Sequence, residues 1–139
     1  TEVSDSLPIL FPAHPRTMAR LETFGLMETL SRHVTITAPL GYDDFLYLWH
    51  RAALVLTDSG GLQEETTALN VPCITLRENT ERPITLEVGS NTLVGTNRDA
   101  ILGAVERVLA GTYKEGAVPE LWDGRASERI CTVLMGNGA

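Results

Sequence analysis

Five short apolar runs, each followed by a stretch with helical patterning, constrain this chain to an alternating α/β fold. The runs are Pro8–Pro12, Val34–Thr37, Ala53–Leu56, Pro72–Leu76 and Asn91–Gly95. They have the length and apolar character of buried strands, and the first is bounded by prolines that suit strand ends. Between and after them lie the helical stretches. One opens at His14 and places Met18, Leu21 and Phe24 on one face, with Gly25 as a stop. Leu26–Arg32 is a second, shorter one. Tyr42–Ala53 carries Asp43 and Asp44 in its first turn, where they favour the helix dipole. Leu62–Asn70, a short helix opened by Pro83, Asp99–Leu109 and Arg125–Met135 follow, and Gly111–Gly124 reads as a loop. Thr1–Leu7 resembles the trailing end of a helix, and the tail from Gly136 to Ala139 is expected to be mobile. Strands that alternate with helices at this spacing predict a doubly wound parallel sheet with right-handed crossovers and helices on both faces.

A chain of 139 residues is long enough to bury one core. Charge narrows the classes of partner. Eleven Lys and Arg stand against 18 Asp and Glu, a net charge of −7, and the basic residues are scattered. A nucleic-acid binder needs clustered cations to displace counterions, so nucleic acid is not an expected partner. No apolar run approaches the ~20 residues that span a bilayer, so no membrane association is expected. The acidic, polar first residues are unlike a secretory signal. Cys73 and Cys131 are far apart, belong to no CxxC pair and have no neighbouring His. They read as buried or half-buried thiols rather than metal or redox groups, which fits a reducing cytoplasm.

The stretch Thr57-Asp58-Ser59-Gly60-Gly61-Leu62-Gln63-Glu64-Glu65 joins the third run to the helix after it. A hydroxyl and two glycines at a strand-to-helix turn let the backbone approach a ligand closely. They also leave free amides at the positive end of a helix, where an anion such as a phosphate can sit. The other reading is an ordinary βα turn with Ser59 as cap and acidic first-turn residues. Position favours the binding reading: in open parallel sheets ligands sit at the carboxyl ends of strands. His14 to Arg16, Pro39 to Gly41, Ser59 to Gly61 and Arg77 to Pro83 all follow strands.

The ordered set of blocks resembles the non-hydrolysing UDP-N-acetylglucosamine 2-epimerases. The set is Pro12–Thr17, Pro39–Phe45, Asp58–Glu65, Thr80–Pro83 and Leu93–Gly95, and the resemblance extends from about Leu10 to Leu109. It implies two Rossmann-like domains of the glycosyltransferase-B type with an active site between them. This chain resembles the C-terminal, UDP-binding half over residues 1–139, truncated at its N-terminal edge. The resemblance implies that the N-terminal domain with the acid and base carboxylates lies outside this chain, and a His-Arg motif is expected just upstream of Thr1. The implied reaction interconverts UDP-GlcNAc and UDP-ManNAc by eliminating UDP and adding it back, without NAD or a catalytic metal. No cofactor and no catalytic residue are therefore expected in this chain. The implied partners are UDP, the two nucleotide sugars and the missing domain, in a cytoplasmic homodimer serving polysaccharide biosynthesis.

The resemblance also assigns residues. Ser59, Gly60 and Gly61 match the diphosphate-binding turn, and Glu65 matches the acid that takes the ribose hydroxyls. Arg82 matches the arginine of the phosphate-sugar region; its guanidinium fork suits phosphate oxygens. Leu40 and Phe45 match uracil-side contacts, and Phe45 also reads as helix packing. His14 and Arg16 match residues near the interdomain cleft and a regulatory site, with a loop-capping His as the other reading. Glu64, His33 and His50 read as solvated or packing residues. Thr66-Thr67, Asn70 and Ile84 depart from the family pattern, which favours small residues with Pro, a Gly and an acid at those places. Two alternatives remain: a hydrolysing UDP-GlcNAc 2-epimerase, and the donor-binding domain of a glycosyltransferase-B-type transferase.

Overall fold

The computed structural model describes residues 2–136; Thr1 and the tail residues 137–139, part of the segment expected to be mobile, lie outside the described residues. The chain forms two compact units, Thr1–Arg51 and Ala52–Ala139.

In the first unit a single 3₁₀ turn, Glu2–Asp5, stands where the end of a longer helix was expected. Then come β1 (Ile9–Pro12), α1 (Pro15–Thr23), α2 (Met27–Ser31), β2 (Val34–Thr37) and α3 (Tyr42–Trp49). β1 and β2 pair in parallel, with Ile9 opposite Val34 and Pro12 opposite Thr37. Pro15 takes the first position of α1, where its missing N–H costs nothing. Gly25, at φ +65°, supplies the left-handed residue after that helix. Met18 and Leu21 are half-buried, while Phe24 is exposed. Ala13, Val34 and Trp49 are the buried apolar residues of this unit. α3 stops short of the expected Ala53 because the chain turns at His50, whose Nδ1 lies 3.1 Å from the Tyr47 carbonyl.

The second unit contains β3 (Val55–Thr57), α4 (Gly60–Ala68), β4 (Cys73–Thr75), α5 (Pro83–Glu87), β5 (Asn91–Leu93), α6 (Arg98–Leu109) and α7 (Ala126–Leu134). Its strands pair in parallel in the order β3-β4-β5, with Val55, Cys73 and Asn91 in register. The architecture is thus α/β with parallel strands, as the alternation predicts, and among the described residues the ladders form two sheets, one per unit. Asn97 caps α6 by accepting the Ala100 amide at 3.0 Å. α4 begins at Gly60, two residues before the apolar pattern suggested. Cys73 is buried as expected, whereas Cys131 is exposed on α7, whose Ile130, Val133 and Leu134 face is also exposed.

The loop between α6 and α7 is strapped to the sheet. Tyr113 donates its hydroxyl to the Cys73 carbonyl at 2.7 Å, and the Ala117 amide bonds the Val88 carbonyl at 2.8 Å. A Cβ on Gly116 would stand 2.5 Å from the Ser90 nitrogen, so a side chain there would force the strap off. Burial raises the Tyr113 phenol to about 12. A raised folded-state value means that this group's stabilisation is complete below pH ~10 and is lost as pH rises toward ~12. Tyr113→Phe should cost about 1 kcal/mol at neutral pH, by leaving the Cys73 carbonyl without that donor. It should also flatten the loss of stability between pH 10 and 12 in urea unfolding; an unchanged alkaline profile would refute the assignment.

Candidate functional site

Thr57 ends β3 and turns its Oγ1 to accept the Ser59 amide at 3.0 Å, which holds the turn. Ser59 occupies the cap position of α4 with extended backbone, φ −80° and ψ 130°, but its hydroxyl makes no capping bond. The first turn of α4 contains no acidic residue, because the helix starts at Gly60 and pushes Glu64 and Glu65 beyond it. The ordinary-cap reading therefore fails on both of its features. What remains is a free hydroxyl beside first-turn amides that have no intrahelical acceptor, at the positive end of a helix. Ser59 and Gly61 are exposed and Gly60 half-buried, so the turn is open to an anion.

The segment Thr80–Arg82 runs beside this turn. A Cβ on Gly60 would lie 3.9 Å from Glu81 Oε2. Glu81 is itself paired with Arg77, at 3.1 and 3.3 Å. Its carboxyl is held below the usual range by its own backbone amide and by Arg77. That pairing offsets a negative charge that would otherwise oppose an anion at Gly60. Arg82 places its buried Nε 2.9 Å from Glu64 Oε1, although the N–H is not aimed along the line to the oxygen, so the contact is an ion pair rather than a well-formed hydrogen bond. Glu64, read from the sequence as solvated, is thus the partner of Arg82.

Behind the turn lies a buried polar network. Gln63 Oε1 accepts from Thr80 Oγ1 at 2.6 Å and from Asn91 Nδ2 at 3.2 Å. Asn91 also donates to Thr85 Oγ1 at 3.1 Å, and its Oδ1 accepts from Thr75 Oγ1 at 2.6 Å. Gln63, Thr75, Thr85 and Asn91 have no measurable exposure. Gln63, Thr80 and Glu64 all lie inside the quoted blocks, but no local sequence pattern marks them as site residues. Their adjacency in those blocks was the available signal.

Glu81 lies beside Gly60 and the next residue, Arg82, pairs with Glu64 on the helix that the Ser59-Gly60-Gly61 turn opens, while Glu65 is half-buried one turn along α4. In the first unit, Leu40 is exposed on the loop after β2, and Phe45 is half-buried on α3. His14 caps α1, its Nδ1 accepting the Arg16 amide at 3.2 Å, and both residues are exposed. An open depression of about 440 Å³ at the carboxyl end of β5, lined by Arg77, Glu78, Gly95, Asp99 and Arg107, includes none of these site residues. Among the described residues no group of three or more His, Cys, Asp or Glu could hold a metal ion, and no helix is long and apolar enough to cross a membrane.

A family model described as UDP-N-acetylglucosamine 2-epimerase matches residues 1–135. The chain belongs to that family. It is 54% identical over 130 residues to a UDP-N-acetylglucosamine 2-epimerase of Methanococcus maripaludis, covering 92% of this chain and 35% of the relative. It is 38% identical over 128 residues to a UDP-2,3-diacetamido-2,3-dideoxy-D-glucuronate 2-epimerase of Pseudomonas aeruginosa, covering 91% and 34%. The crystal structure of the Methanocaldococcus jannaschii UDP-GlcNAc 2-epimerase in complex with UDP-GlcNAc and UDP superposes with a TM-score of 0.82 at 45% identity. That match covers 97% of this chain and 37% of the other. The chain therefore spans about a third of the length of the curated relatives it matches.

Two departures from the epimerase pattern have physical explanations. Asn70, where the resemblance favours glycine, has φ +53°, a left-handed conformation that Asn tolerates better than most residues. Thr66 and Thr67 are fully buried: Thr66 returns its hydroxyl to the Leu62 carbonyl at 2.7 Å, and Thr67 packs against Gly89, where a Cβ would meet its Oγ1 at 2.3 Å. Nothing in the structure explains Ile84. For the buried network, Asn91→Leu keeps the branched heavy-atom skeleton but strips partners from Gln63, Thr75 and Thr85. It should destabilise the protein by about 3 kcal/mol in urea unfolding. A loss below about 1 kcal/mol would show that the network carries no such weight.

Proposed function

We propose that this chain is the nucleotide-holding part of a UDP-GlcNAc 2-epimerase, an isomerase that eliminates UDP from UDP-GlcNAc and adds it back to give UDP-ManNAc. The observation that carries the reading is the uncapped Ser59-Gly60-Gly61 turn with Arg82 beside it, in a family whose Methanocaldococcus relative is crystallised with UDP-GlcNAc and UDP. The 48% and 54% identities to two methanogen UDP-N-acetylglucosamine 2-epimerases, against 38% to the diacetamido-glucuronate enzyme, support the choice of sugar.

In this reading the Gly60 and Gly61 amides and the Ser59 hydroxyl take the diphosphate. Because they are fixed before UDP departs, they stabilise the charge that develops on it without reorganising. Glu65 accepts the ribose hydroxyls, a task suited to an ionised carboxylate with two acceptor oxygens. Arg82 adds its guanidinium at the phosphate-sugar junction, and Leu40 and Phe45 contact the uracil side. His14 and Arg16 lie near the cleft of the whole protein. The carboxylates that move the proton belong to the N-terminal domain, so this chain is residues 1–139 of binding machinery without a catalytic group of its own. By the family resemblance, the whole protein is proposed to act as a cytoplasmic homodimer in polysaccharide biosynthesis, without a cofactor.

The test uses the whole protein that carries this chain. In D2O, deuterium should enter at the second carbon of the sugar in both nucleotide sugars, and mass spectrometry finding none would sink the reaction. Calorimetry with UDP should show Ser59→Ala and Glu65→Ala each weakening binding about tenfold, the scale of one hydrogen bond to a charged partner. Unchanged affinity in both would remove UDP from this site.

A further inference from the structure

We propose that Gln63 and Thr80 are positioning residues, which hold the Arg82 backbone beside the Ser59-Gly60-Gly61 turn so that the guanidinium is set before the nucleotide arrives. The inference rests on the nucleotide-binding reading of that turn and extends it to two residues that touch no ligand in it.

The relay is short. Thr80 Oγ1 donates to Gln63 Oε1 at 2.6 Å and accepts from the Arg82 amide at 3.0 Å. One hydroxyl therefore uses its donor on α4 and an acceptor lone pair on the backbone of the arginine. Its anchor is buried: Gln63 has no measurable exposure, lies in the first turn of α4, and its Oε1 accepts a second bond from Asn91 Nδ2 at 3.2 Å, while its Nε2 has no partner among the described residues. The Arg82 backbone is then tied forward, its carbonyl accepting both the Thr85 amide at 3.0 Å and the Thr85 hydroxyl at 2.7 Å. Thr85 in turn accepts from Asn91 at 3.1 Å. Arg82 is thus clamped at both its amide and its carbonyl, the first through Thr80 and Gln63 and the second through Thr85, and both routes lead to Asn91. At the far end of the side chain, Glu64 lies 2.9 Å from Nε and Nη1 donates to the Glu81 carbonyl at 3.5 Å, which leaves Nη2 and the second Nη1 hydrogen as the donors able to meet a phosphate.

The physical need is clear from the residue's own conformation. Arg82 precedes Pro83 and sits at φ −121°, ψ 58°, outside the helix and strand regions, at the start of a five-residue helix. A loop arginine carries about 2 kcal/mol of rotamer entropy. Fixing its backbone in advance lowers the ordering cost that phosphate binding would otherwise meet. Gln63 and the Ser-Gly-Gly amides belong to one turn of one helix, so the same element sets both the amide donors and the arginine.

The test measures UDP affinity by calorimetry in the whole protein that carries this chain, for Thr80→Val, Thr80→Ser, Arg82→Ala and the Thr80→Val/Arg82→Ala double variant. Valine keeps the shape and removes the hydroxyl; serine keeps the hydroxyl. Thr80→Val should weaken UDP about tenfold, Thr80→Ser should stay within about twofold, and the valine change should cost less than about twofold once Arg82 is gone. Should the valine variant fail to fold, Thr80→Ala, which only removes atoms from a half-buried position, takes its place in the cycle. A purely structural role would lower thermal stability but leave the loss as large in the Arg82→Ala background as in the wild type, and that additivity would overturn the proposal. So would wild-type affinity in Thr80→Val. If Ser59→Ala and Arg82→Ala both bind UDP normally, the nucleotide-binding reading fails and the positioning role falls with it. If those two lose affinity while Thr80→Val does not, the positioning role alone fails.

Discussion

The second unit depends on a buried hydrogen-bond network more than on an apolar core. Its largest fully buried side chains are Ile74 and Cys73 together with Gln63, Asn91, Thr66, Thr67, Thr75, Thr85 and Ser90, of which Thr67 alone leaves its hydroxyl without a partner among the described residues. An apolar core tolerates small slips, because any neighbour of similar volume serves. A polar one does not. Each bond made contributes only about 1 kcal/mol net, but each buried group left unpaired costs about 1–3 kcal/mol. Asn91 on β5 can reach Gln63, Thr75 and Thr85 together only in one register of α4, β4 and α5. Ser90 adds a further restraint, its hydroxyl donating to the Val71 carbonyl at 2.6 Å. The position of the Ser-Gly-Gly turn follows from that register, since Gln63 lies in the same helical turn as the two glycines.

This dependence explains which parts of the fold were legible in the sequence. The five strand runs and the α/β class were readable because Val, Ile and Leu cluster in short segments. The network was not, since Gln, Asn and Thr are mostly surface residues and give no burial signal by type. Gly60 and Gly61 misled in a different way. Their low helix propensity moved the expected start of α4 to Leu62, whereas the extended backbone of Ser59 marks the real boundary. The resemblance separates the two acids by giving the ribose hydroxyls to Glu65, but only the fold shows Glu64 paired with Arg82. The site blocks were legible as an ordered set because the resemblance preserves their spacing. The side chains that hold those blocks together have their partners 17 and 28 residues away, which no local pattern reports.

The electrostatic setting matters for a chain with a net charge of −7. A lysine-rich surface would attract any anion from a distance; this chain offers aligned amides and one guanidinium at close range instead. Amides of a helix start are directional, fixed and uncharged, so they reward an anion that fits and give little long-range pull. Arg77 and Glu81 neutralise each other beside the turn, which removes a repulsion without adding a second binding cation. Selectivity then rests on geometry, and geometry rests on the network behind the turn.

The Glu64–Arg82 pair looks at first like an obstacle to anion binding, because it occupies the arginine. Its magnitude says otherwise. Arg82 and Glu64 side chains are 39% and 41% exposed, and pairs this open contribute about 0–1 kcal/mol. In the proposed binding mode a diphosphate presents more charge than a carboxylate and would meet the terminal nitrogens, of which Nη1 donates one hydrogen to the Glu81 carbonyl at 3.5 Å. The acid therefore does not compete for the same edge of the guanidinium. It restrains the side chain at Nε at a cost that a well-placed phosphate would exceed in the proposed binding mode, and without it the side chain would sample the rotamers that the clamped backbone still permits.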